Sequence, residues 1–263
     1  MTPPSDPSPD PAHFYNDLAD SYHLIFEDWN RSIARQATIL GPLLSAHTGK
    51  ALPSVLDCAC GIGTQALGLA QRGHKVTGSD LSPAAIDRAR REAATRQLDI
   101  TFHVADLRSL AFPETSFDVV LAADNALAHL LTPSDLQAAL HSMAAKLSPE
   151  GILVTTLRDY DRLLTERPTM QPPFFFHSAS GRRFMHQVWD WHTGQNEYDL
   201  HLYLTTQSAQ SPSGWEAKHF HSRLRALPRG ELNSALQQVG LGKIQWLEPS
   251  SSSFYQPIVI AKR

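Results

Sequence analysis

From residue 54 onward, short apolar runs alternate with stretches whose apolar residues recur at helical spacing. The apolar runs predict strands at 55–58, 75–79, 100–104, 117–122 and 152–157. Helices are predicted at 64–71 and 133–147, and Ser82 followed by Pro83 marks the start of another. Nearly continuous apolar strands that alternate with helices predict a parallel α/β sheet with helices on both faces.

Two regions depart from this alternation. Ahead of the first strand, residues 13–26 and 31–44 carry apolar residues at helical spacing, which predicts a pair of added helices. After residue 160 the chain predicts strands without intervening helices, at 183–191, 197–206 and 215–224. The α/β pattern resumes with a helix at 229–239 and strands at 243–247 and 255–261, which brings the main sheet to seven strands.

These patterns divide the chain into four parts. We predict a disordered tail at 1–13, a helical segment at 14–50, an α/β core formed by 51–157 together with 226–263, and an antiparallel β insert at 158–225. The tail is rich in Pro, Ser and Asp, a composition typical of solvated and disordered chain. The whole length of 263 residues suits a core domain that carries an insert.

Composition narrows the partners and the compartment. The net charge of −3 gives no broad electrostatic reason to bind nucleic acid. Cys58 and Cys60 stand two positions apart, where a disulfide would close almost no loop, so free thiols are expected. No apolar run approaches the length that crosses a bilayer, and the first residues do not have the pattern of a secretory signal. We therefore expect a cytoplasmic protein that binds neither nucleic acid nor membrane.

The first predicted strand runs into a glycine turn, VLDCACGIGT at 55–64, that opens a helix. Gly61 and Gly63 would let the backbone come close to a ligand. Asp80 stands at the end of the next strand, where a carboxylate would meet the hydroxyls of a ribose. This part of the sequence predicts a nucleoside-binding site at the carboxyl edge of the sheet.

Three acids at successive strand ends distinguish this site from a dinucleotide site. A G-x-G-x-x-G turn would need glycine at position 66, where Ala66 stands. Asp57 would repel a diphosphate but attract the ammonium group of a methionine moiety. Asp106, after the third strand, is placed to accept a hydrogen bond from an adenine amino group. Each acid alone could cap a helix or turn, but that role does not explain all three in register with the glycine turn.

The segment VLDCACGIGTQALGLAQRGHKVTGSDLSPAAIDRAR, residues 55–90, resembles the class I S-adenosylmethionine-dependent methyltransferases. Within that superfamily, AADNALAHL at 122–130 and TLRDYD at 156–161 are similar to segments of glycine N-methyltransferase and its glycine/sarcosine relatives. The resemblance implies a Rossmann-like methyltransferase core, an N-terminal helical lid and an insert that covers the substrate. It also implies S-adenosylmethionine as cofactor, released as S-adenosylhomocysteine.

The resemblance assigns expected roles around the cofactor. Ala59 and Gly61 would line its methionine portion, Asp80 its ribose, and Asp106 and Leu107 its adenine. The full set expected to bind the cofactor is Tyr15, Tyr22, Arg31, Asp57, Ala59, Cys60, Gly61, Gly63, Asp80, Leu81, Asp106, Leu107 and Ala123. In this set the lid residue Tyr22 would close over the cofactor, Arg31 would contact its carboxylate and Ala123 its methionine end. No metal is expected.

Four residues are expected on the substrate side. Methyl transfer from a sulfonium is an in-line displacement, so it needs positioning more than acid or base catalysis. Asn125 and Arg158 follow the fourth and fifth strands, and the resemblance implies that they contact an amino-acid substrate, with the arginine holding its carboxylate. His129 is a candidate for handling a proton. Tyr203 approximately matches a substrate-side tyrosine of the resembled group.

Purely structural roles remain open for Asn125 and Arg158. Asn125 could cap a turn, and Arg158 could form an ion pair with Asp159 or Asp161. Three histidines of the insert lie on neighbouring strands, His201, His219 and His221, and a scatter of packed or exposed histidines is expected there rather than a metal site.

The sequence therefore predicts transfer of a methyl group to a small-molecule amine, such as an amino acid or another carboxylate-bearing amine. The insert is rich in aromatic residues, some of which could line an apolar pocket. This favours O- or S-methylation of a small aromatic metabolite as the alternative. A catalytically silent protein that binds S-adenosylmethionine is a further alternative. Nucleic-acid methylation lacks its Asn/Asp-Pro-Pro-Tyr/Phe signature after the fourth strand, where residues 124–127 are DNAL. Assembly into a homo-oligomer is left open.

Overall fold

The computed structural model describes residues 10–113, 115–178, 181–211 and 213–263. Its strands are β1 (Val55–Asp57), β2 (Val76–Asp80), β3 (Thr101–Val104), β4 (Phe117–Ala122), β5 (Leu147–Thr156), β6 (Met170–Ser178), β7 (Gly181–Trp191), β8 (Glu197–Gln207), β9 (Trp215–Arg225), β10 (Lys243–Leu247) and β11 (Ile258–Lys262). Seven of them form one sheet in the order β10-β11-β5-β4-β1-β2-β3, and the other four form a second sheet in the order β6-β7-β8-β9. This arrangement confirms the predicted fold class.

The larger sheet is parallel except at β11, which runs antiparallel to both β5 and β10. The helices are α1 (Pro11–Leu18), α2 (Trp29–Thr48), α3 (Thr64–Gln71), α4 (Pro83–Thr95), α5 (Pro133–Lys146), α6 (Tyr160–Glu166), α7 (Arg229–Gln238) and α8 (Pro249–Ser252). Short 3₁₀ turns lie at Tyr22–Ile25 and Ala126–His129. The parallel strands present their carboxyl ends along one edge, which is where an open α/β sheet binds its ligands.

Side-chain caps fix where several helices begin. Asp28, Ser82 and Thr132 accept hydrogen bonds from backbone N–H groups in the first turns of α2, α4 and α5. Such a cap satisfies a donor that has no partner inside the helix. The start of α4 after Ser82 follows the sequence prediction.

The prediction of a single helix at 13–26 is wrong. Helix α1 ends at Leu18, and a separate 3₁₀ turn follows at Tyr22–Ile25. Arg88 of α4 explains the break, because its guanidinium donates to the carbonyl oxygens of Ala19 and Asp20 at 3.0 and 2.7 Å. A tertiary contact thus satisfies carbonyls that a continuing helix would have bonded itself.

Strand β6 and helix α6 were not predicted from the sequence. Strand β6 contains Pro172 and Pro173, which donate no hydrogen bond, and the pairing with β7 is irregular between Gln171 and Phe174. The strand forms because it lies at the edge of the four-stranded sheet, where a missing donor leaves no ladder bond unmade. Helix α6 has only seven residues, too few for a clear helical period.

Arg183 of β7 fastens the N-terminal segment to the insert. Its side chain is buried and donates to the carbonyl oxygens of Leu24 and Glu27 at 3.1 and 2.8 Å, and also to that of Phe26. These three carbonyls belong to the 3₁₀ turn and the stretch just after it. The N-terminal helices therefore contact both the core, through Arg88, and the insert, through Arg183.

Two hydrophobic clusters cover the faces of the larger sheet. One gathers α5, α7 and the inner face of the insert, and the other gathers α2, α3 and α4. Gly68 of α3 shows how tightly α2 and α3 pack, since an added Cβ would lie 2.7 Å from the carbonyl oxygen of Ile33. Among the described residues, no helix combines the length and the apolar character that a membrane crossing requires.

Candidate active site

The glycine turn after β1 is held by the acid at the end of β2. Gly61 and Gly63 have φ of 53° and 95°, a region that side chains rarely adopt. Asp80 accepts hydrogen bonds from the backbone N–H groups of Gly61 at 2.8 Å and Ser82 at 2.9 Å. A Cβ added to Gly61 would have nothing within 4 Å, so the backbone of the turn faces open space.

Burial and hydrogen bonds have opposite effects on the pKa of Asp80. Only 7% of the residue is exposed, and desolvation raises the pKa of its carboxyl above the ordinary value. The N–H groups of Ser82 and Gly61 oppose that rise because they stabilise the ionised form. Each carboxylate oxygen keeps a further acceptor position, which a pair of ligand hydroxyls could use.

A first cavity of about 310 Å³ opens beside this turn. Eleven of the predicted site residues line it: Tyr15, Tyr22, Ala59, Cys60, Gly61, Asp80, Leu81, Asp106, Leu107, Ala123 and His129. The cavity combines a buried acceptor for hydroxyls, a backbone turn that ligands can approach, and apolar walls. These groups fit the ribose, the methionine portion and the adenine of S-adenosylmethionine.

Asp106 reaches the first cavity already engaged by a neighbour. Arg108 donates to its carboxylate from Nε and Nη2 at 2.6–3.1 Å, and also bonds Asp135 at 2.9 Å. Burial alone would raise the pKa of Asp106, but the hydrogen bonds from Arg108 outweigh it, and the pKa lies below the ordinary value. Asp106 is therefore a fixed, ionised acceptor at the end of β3.

Three predicted cofactor residues do not line the first cavity. Asp57 is fully buried behind the glycine turn, where the backbone N–H groups of Ala59 and Ala66 favour its ionised form. Desolvation raises its pKa well above the ordinary value, followed by the charges of Asp124 and Asp80. Gly63 is the N-cap of α3, beneath the turn. Arg31 is exposed in the first turn of α2, where its N–H bonds Asp28.

A second cavity of about 710 Å³ lies between the core edge, the N-terminal helices and the inner face of the insert. Asn125 and Arg158 line it, as predicted for the substrate side. Four residues line both cavities: Tyr15, Tyr22, Asp124 and His129. We call these four the junction. A group transferred between ligands in the two cavities would pass here.

Arg158 points its charge at this second cavity without a carboxylate partner. Its guanidinium donates to the phenol oxygen of Tyr198 at 2.7 Å and to the amide oxygen of Gln187 at 3.1 Å. It also lies over the ring of Trp189, 4.7 Å from the ring centroid. Among the described residues, no acid lies within ion-pair distance of Arg158. Neutral partners thus orient the cation and leave its charge for a ligand.

The ion pair considered for Arg158 is formed by another arginine. Asp159 and Asp161 both face Arg229 of α7, at 3.8 and 3.6 Å. Arg229 also pairs with Glu248, which lines the mouth of the second cavity. The two acids that follow Arg158 in sequence therefore serve to attach α7.

Asn125 supports Arg158 from below. Its side-chain amide donates to the phenol oxygen of Tyr160 at 2.8 Å, and its side-chain oxygen accepts from the backbone N–H of Arg158 at 3.2 Å. The residue has φ of 69°, and it lines the second cavity. Asn125 thus connects the ends of β4 and β5, the two strands that carry the candidate substrate residues.

His129 lies at the junction as a neutral imidazole. Its Nε2 and the hydroxyl of Tyr15 are 2.9 Å apart, and its Nδ1 lies 3.4 Å from the hydroxyl of Ser222. Desolvation, followed by the charge of Arg158, lowers the pKa of His129 to about 4. A lid residue, a core residue and an insert residue meet here in one hydrogen-bonded chain.

Asp124, the one carboxylate of the junction, was not among the residues predicted from the sequence. It lies two residues after β4, as Asp106 does after β3, while Asp57 and Asp80 are the last residues of β1 and β2. Its carboxylate accepts from the side-chain amide of Gln65 at 2.8 Å and from the hydroxyl of Tyr255. The strand-end rule that identified the other acids was therefore enough to include it.

Tyr203 lies on the other face of the insert. Residues of β8 alternate, and Tyr198, Leu200, Leu202 and Leu204 face inward while Tyr203 stacks outside between His186 and His219. It lines neither cavity. His201, His219 and His221 share this outer face, and the described residues contain no group of three that could hold a metal ion.

Part of the chain is similar in sequence to known methyltransferases. The Methyltransferase domain family matches residues 55–151, the part that carries the glycine turn and all four strand-end acids. Glycine/sarcosine N-methyltransferase of Parasynechococcus marenigrum is 33% identical over 57% of this chain. The dTDP-3-amino-3,6-dideoxy-alpha-D-glucopyranose N,N-dimethyltransferase of Streptomyces fradiae is 32% identical over 54% of it. The chain spans about half the length of these relatives, 52% and 54%.

The likeness in structure extends further than the likeness in sequence. DesVI of Streptomyces venezuelae superposes with a TM-score of 0.79 at 22% identity, over 94% of this chain and 98% of that one. The shared fold thus includes the N-terminal helices and the insert as well as the core. The family match covers the segments after β1, β2, β3 and β4 that line the first cavity, but not its lining residues in the N-terminal segment. Residues 55–151 thus match the Methyltransferase domain family, and the chain shares its fold with solved S-adenosylmethionine-dependent methyltransferases, among them one from Clostridium acetobutylicum with a TM-score of 0.71 at 14% identity over 94% of this chain and 98% of that one.

Proposed function

We propose that the protein transfers a methyl group from S-adenosylmethionine to the nitrogen of a small-molecule amine that also carries an anionic group, such as a carboxylate. The observation that carries the proposal is the pair of cavities that meet at one junction. The first has the groups that suit the cofactor, and the second contains an arginine whose charge no acid of the described chain neutralises.

In the first cavity the chain's task is to hold the cofactor. Asp80 would accept hydrogen bonds from the ribose hydroxyls, while the turn at Ala59 and Gly61 would accommodate the methionine portion. Leu81 and Leu107 would pack against the adenine. The bound cofactor supplies an electrophilic methyl group on a sulfonium sulfur. Tyr15 and Tyr22 of the lid would then exclude water from that methyl group at the junction.

In the second cavity the task is to orient the acceptor. Arg158 would hold the anionic group in two-point geometry, because its fork is already fixed by Tyr198 and Gln187. With that end anchored, the amine would reach toward the junction. Holding the reacting nitrogen in line with the methyl group converts a bimolecular encounter into an effectively unimolecular step. The two relatives named above carry N-methyltransferase names, which supports nitrogen as the methylated atom.

Aromatic side chains that line the second cavity support a second candidate function. Phe14, Phe26 and Phe174 line it together with aliphatic residues of the insert. Such walls would also accept an aromatic metabolite methylated on oxygen or sulfur. The unneutralised arginine favours the amine with an anionic group, because an uncharged phenol or thiol would leave that cation without a counterion.

The test is incubation with S-adenosylmethionine and panels of amino acids, amino sugars, simple amines, phenols and thiols, with S-adenosylhomocysteine and methylated products followed by mass spectrometry. We expect product from amines that carry an acidic group and little from the same amines as esters or amides. Turnover confined to phenols or thiols would replace the proposal with the second candidate. Cofactor binding without turnover of any panel would indicate a silent binding protein.

A further inference from the structure

We propose that Asp124 is the group that receives the acceptor amine: it binds the amine as an ammonium ion at the junction and takes its proton before methyl transfer. This inference rests on the proposed function and deepens it, because it makes the acceptor a zwitterion held at both ends. Arg158 would bind the anionic end and Asp124 the cationic end.

The carboxylate of Asp124 lies where the two cavities meet. Asp124 lines both cavities, and among the four junction residues it alone carries a carboxylate. The acids at the other strand ends are placed differently. Asp80 and Asp106 line only the first cavity, and Asp57 lines neither. An amine that approaches the transferred methyl group from the second cavity would therefore meet Asp124 first.

The hydrogen-bond partners of the Asp124 carboxylate are neutral side chains. Gln65 donates to one oxygen of Asp124 at 2.8 Å, and the hydroxyl of Tyr255 donates to the other. Gln65 is itself fixed, since its amide also donates to Gln36 at 2.8 Å. Among the described residues, no lysine, arginine or histidine lies within ion-pair distance of Asp124. The carboxylate is thus oriented by neutral groups and keeps an unneutralised charge.

The second cavity is lined by two opposite charges that do not pair with each other. Arg158 and Asp124 carry opposite charges, line the same cavity and do not bond each other. Each is held away from the other by its own neutral partners. A protein that needed only stability would let two such ions pair, because unpaired charges in partly buried positions are costly. A zwitterionic ligand would complete both ion pairs at once.

The proton has to move because an ammonium ion has no lone pair to attack with. Asp124 would take one proton from the ammonium nitrogen, which leaves a neutral amine and a neutral carboxyl group. The amine lone pair then forms the new nitrogen–carbon bond while the carbon–sulfur bond breaks and its electron pair stays on sulfur. The products are a methylated ammonium ion and a neutral thioether, and Asp124 later releases its proton to water.

The acidity of Asp124 agrees with this use. Desolvation raises the pKa of its carboxyl to about 6, against the hydrogen bond from Gln65 that lowers it. The carboxylate is therefore ionised at neutral pH but a stronger base than an exposed aspartate. His129, with a pKa near 4, is the weaker base of the two at the junction.

The test is the pH dependence of kcat/KM for the best zwitterionic acceptor in the wild type and in Asp124→Asn. Asparagine keeps the size of the side chain and tolerates the positive φ of 55° at this position. For the wild type we expect a bell, which rises as Asp124 ionises near pH 6 and falls as the free acceptor loses its ammonium proton. For Asp124→Asn we expect at least a tenfold loss near pH 7 and a profile that only rises toward the pKa of the acceptor.

Two companion measurements separate the roles that Asp124 could play. Tyr255→Phe removes a donor to the ionised carboxylate, so the acid limb of the bell should move to higher pH. Calorimetric titration of both variants with S-adenosylmethionine and S-adenosylhomocysteine should give wild-type affinities. Asp87→Asn, an exposed change on α4 outside both cavities, serves as the matched control and should keep the wild-type bell.

Three results would overturn the inference. One is an unchanged bell in Asp124→Asn, which would show that the carboxylate plays no part in the proton transfer. Another is a loss of affinity for S-adenosylmethionine but not for S-adenosylhomocysteine, which would assign Asp124 to the cofactor's sulfonium. The third is a wild-type protein that methylates no amine, which would remove the proposed function itself and the inference with it.

Discussion

The two cavities hold their charges in contrasting ways. In the first cavity, the proposed cofactor side, Asp80 is bonded by N–H groups of its own loop and the neighbouring turn, and Asp106 by an arginine two residues along the chain. In the second cavity, the proposed acceptor side, Arg158 and the junction residue Asp124 are held by neutral groups, most of them from distant parts of the chain. The cofactor side is thus complete in the folded protein, whereas the acceptor side leaves two charges for a ligand to neutralise.

This difference teaches where ligand binding should change the protein most. Hydrogen bonds between residues close in sequence already fix the side chains of the first cavity, so a ligand loses little further conformational entropy when it binds there. The first cavity is therefore preorganised. The second cavity carries charges whose neutralisation adds to the affinity of a matching ligand. Substitutions on the two sides should therefore separate cofactor affinity from acceptor selectivity.

The largest effect is expected from Asp80→Ala on the cofactor side. The change removes the acceptor for ribose hydroxyls and also the acceptor that fixes the turn at Gly61. Two charge-assisted hydrogen bonds at about 1.5–3 kcal/mol each correspond to a loss of cofactor affinity of roughly 100-fold or more. Isothermal titration with S-adenosylhomocysteine measures it, and Asp87→Ala on the surface of α4 is the control. Near wild-type affinity in Asp80→Ala would contradict the assignment of the first cavity.

The next largest effect is expected from Arg158→Ala on the acceptor side. Loss of the charge-assisted pair should cost about 1.5–3 kcal/mol, roughly a 10- to 100-fold fall in kcat/KM for acceptors with an acidic group. Cofactor affinity should stay close to that of the wild type. Arg162→Ala is the matched control, because Arg162 also lines the second cavity but is exposed and faces Glu166 at 3.6 Å. An equal loss of cofactor binding would make Arg158 a structural residue.

A smaller effect concerns the packing behind the cofactor side. Gly68→Ala places a Cβ 2.7 Å from the carbonyl oxygen of Ile33, so α2 and α3 must separate. We expect a net loss of about 1–2 kcal/mol in the free energy of unfolding, since overpacking outweighs the better helix propensity of alanine. Gly230→Ala, also in a helix but with nothing within 4 Å, should gain up to ~1 kcal/mol. Urea denaturation of both variants measures the difference, and equal changes would refute the packing argument.

The smallest effect is expected in stability against pH, because two junction residues oppose each other. The pKa of Asp124 is raised in the folded protein to about 6, so its contribution to stability falls as pH rises toward 6. The pKa of His129 is lowered from 6.5 to about 4, so its contribution rises over nearly the same interval.

Single variants should separate these opposing contributions. Relative to the wild type, His129→Asn should gain stability on acidification from pH 6.5 to 4.5, and Asp124→Asn should lose it. Urea midpoints at several pH values measure both trends. Parallel pH profiles in all three proteins would mean that neither group titrates in this interval.

The sequence was sufficient for the larger sheet and for eleven of the residues that line the first cavity. Strand-end acids and the glycine turn are local features, and the predicted lining residues at 59–61, 80–81, 106–107 and 123 follow from their place after β1, β2, β3 and β4. The helix beginning at Pro83 could be predicted for the same reason, because its cap, Ser82, is a neighbour in sequence. A feature that depends on residues close in sequence can be predicted from the sequence alone.

The acceptor side could be predicted only in part, because its causes are tertiary. Arg158 is fixed by Tyr198 and Gln187, which no local pattern connects to it. Tyr203 differs from Tyr198 by an odd number of residues, so the two face opposite sides of β8, and only the packed sheet shows which side meets the cavity. The break after α1 likewise depends on Arg88, some 70 residues away.

The three hydrogen bonds from Arg183 to the carbonyls at Leu24, Phe26 and Glu27 have a kinetic consequence. A lid that is fastened to the insert cannot swing away from the first cavity unless those bonds break or the insert follows. In either case the routes by which cofactor and acceptor enter change together. Under the proposed function, the exchange of spent cofactor and the departure of methylated product would share one gating motion, and a substitution of Arg183 would alter the order of events in turnover rather than the chemical step.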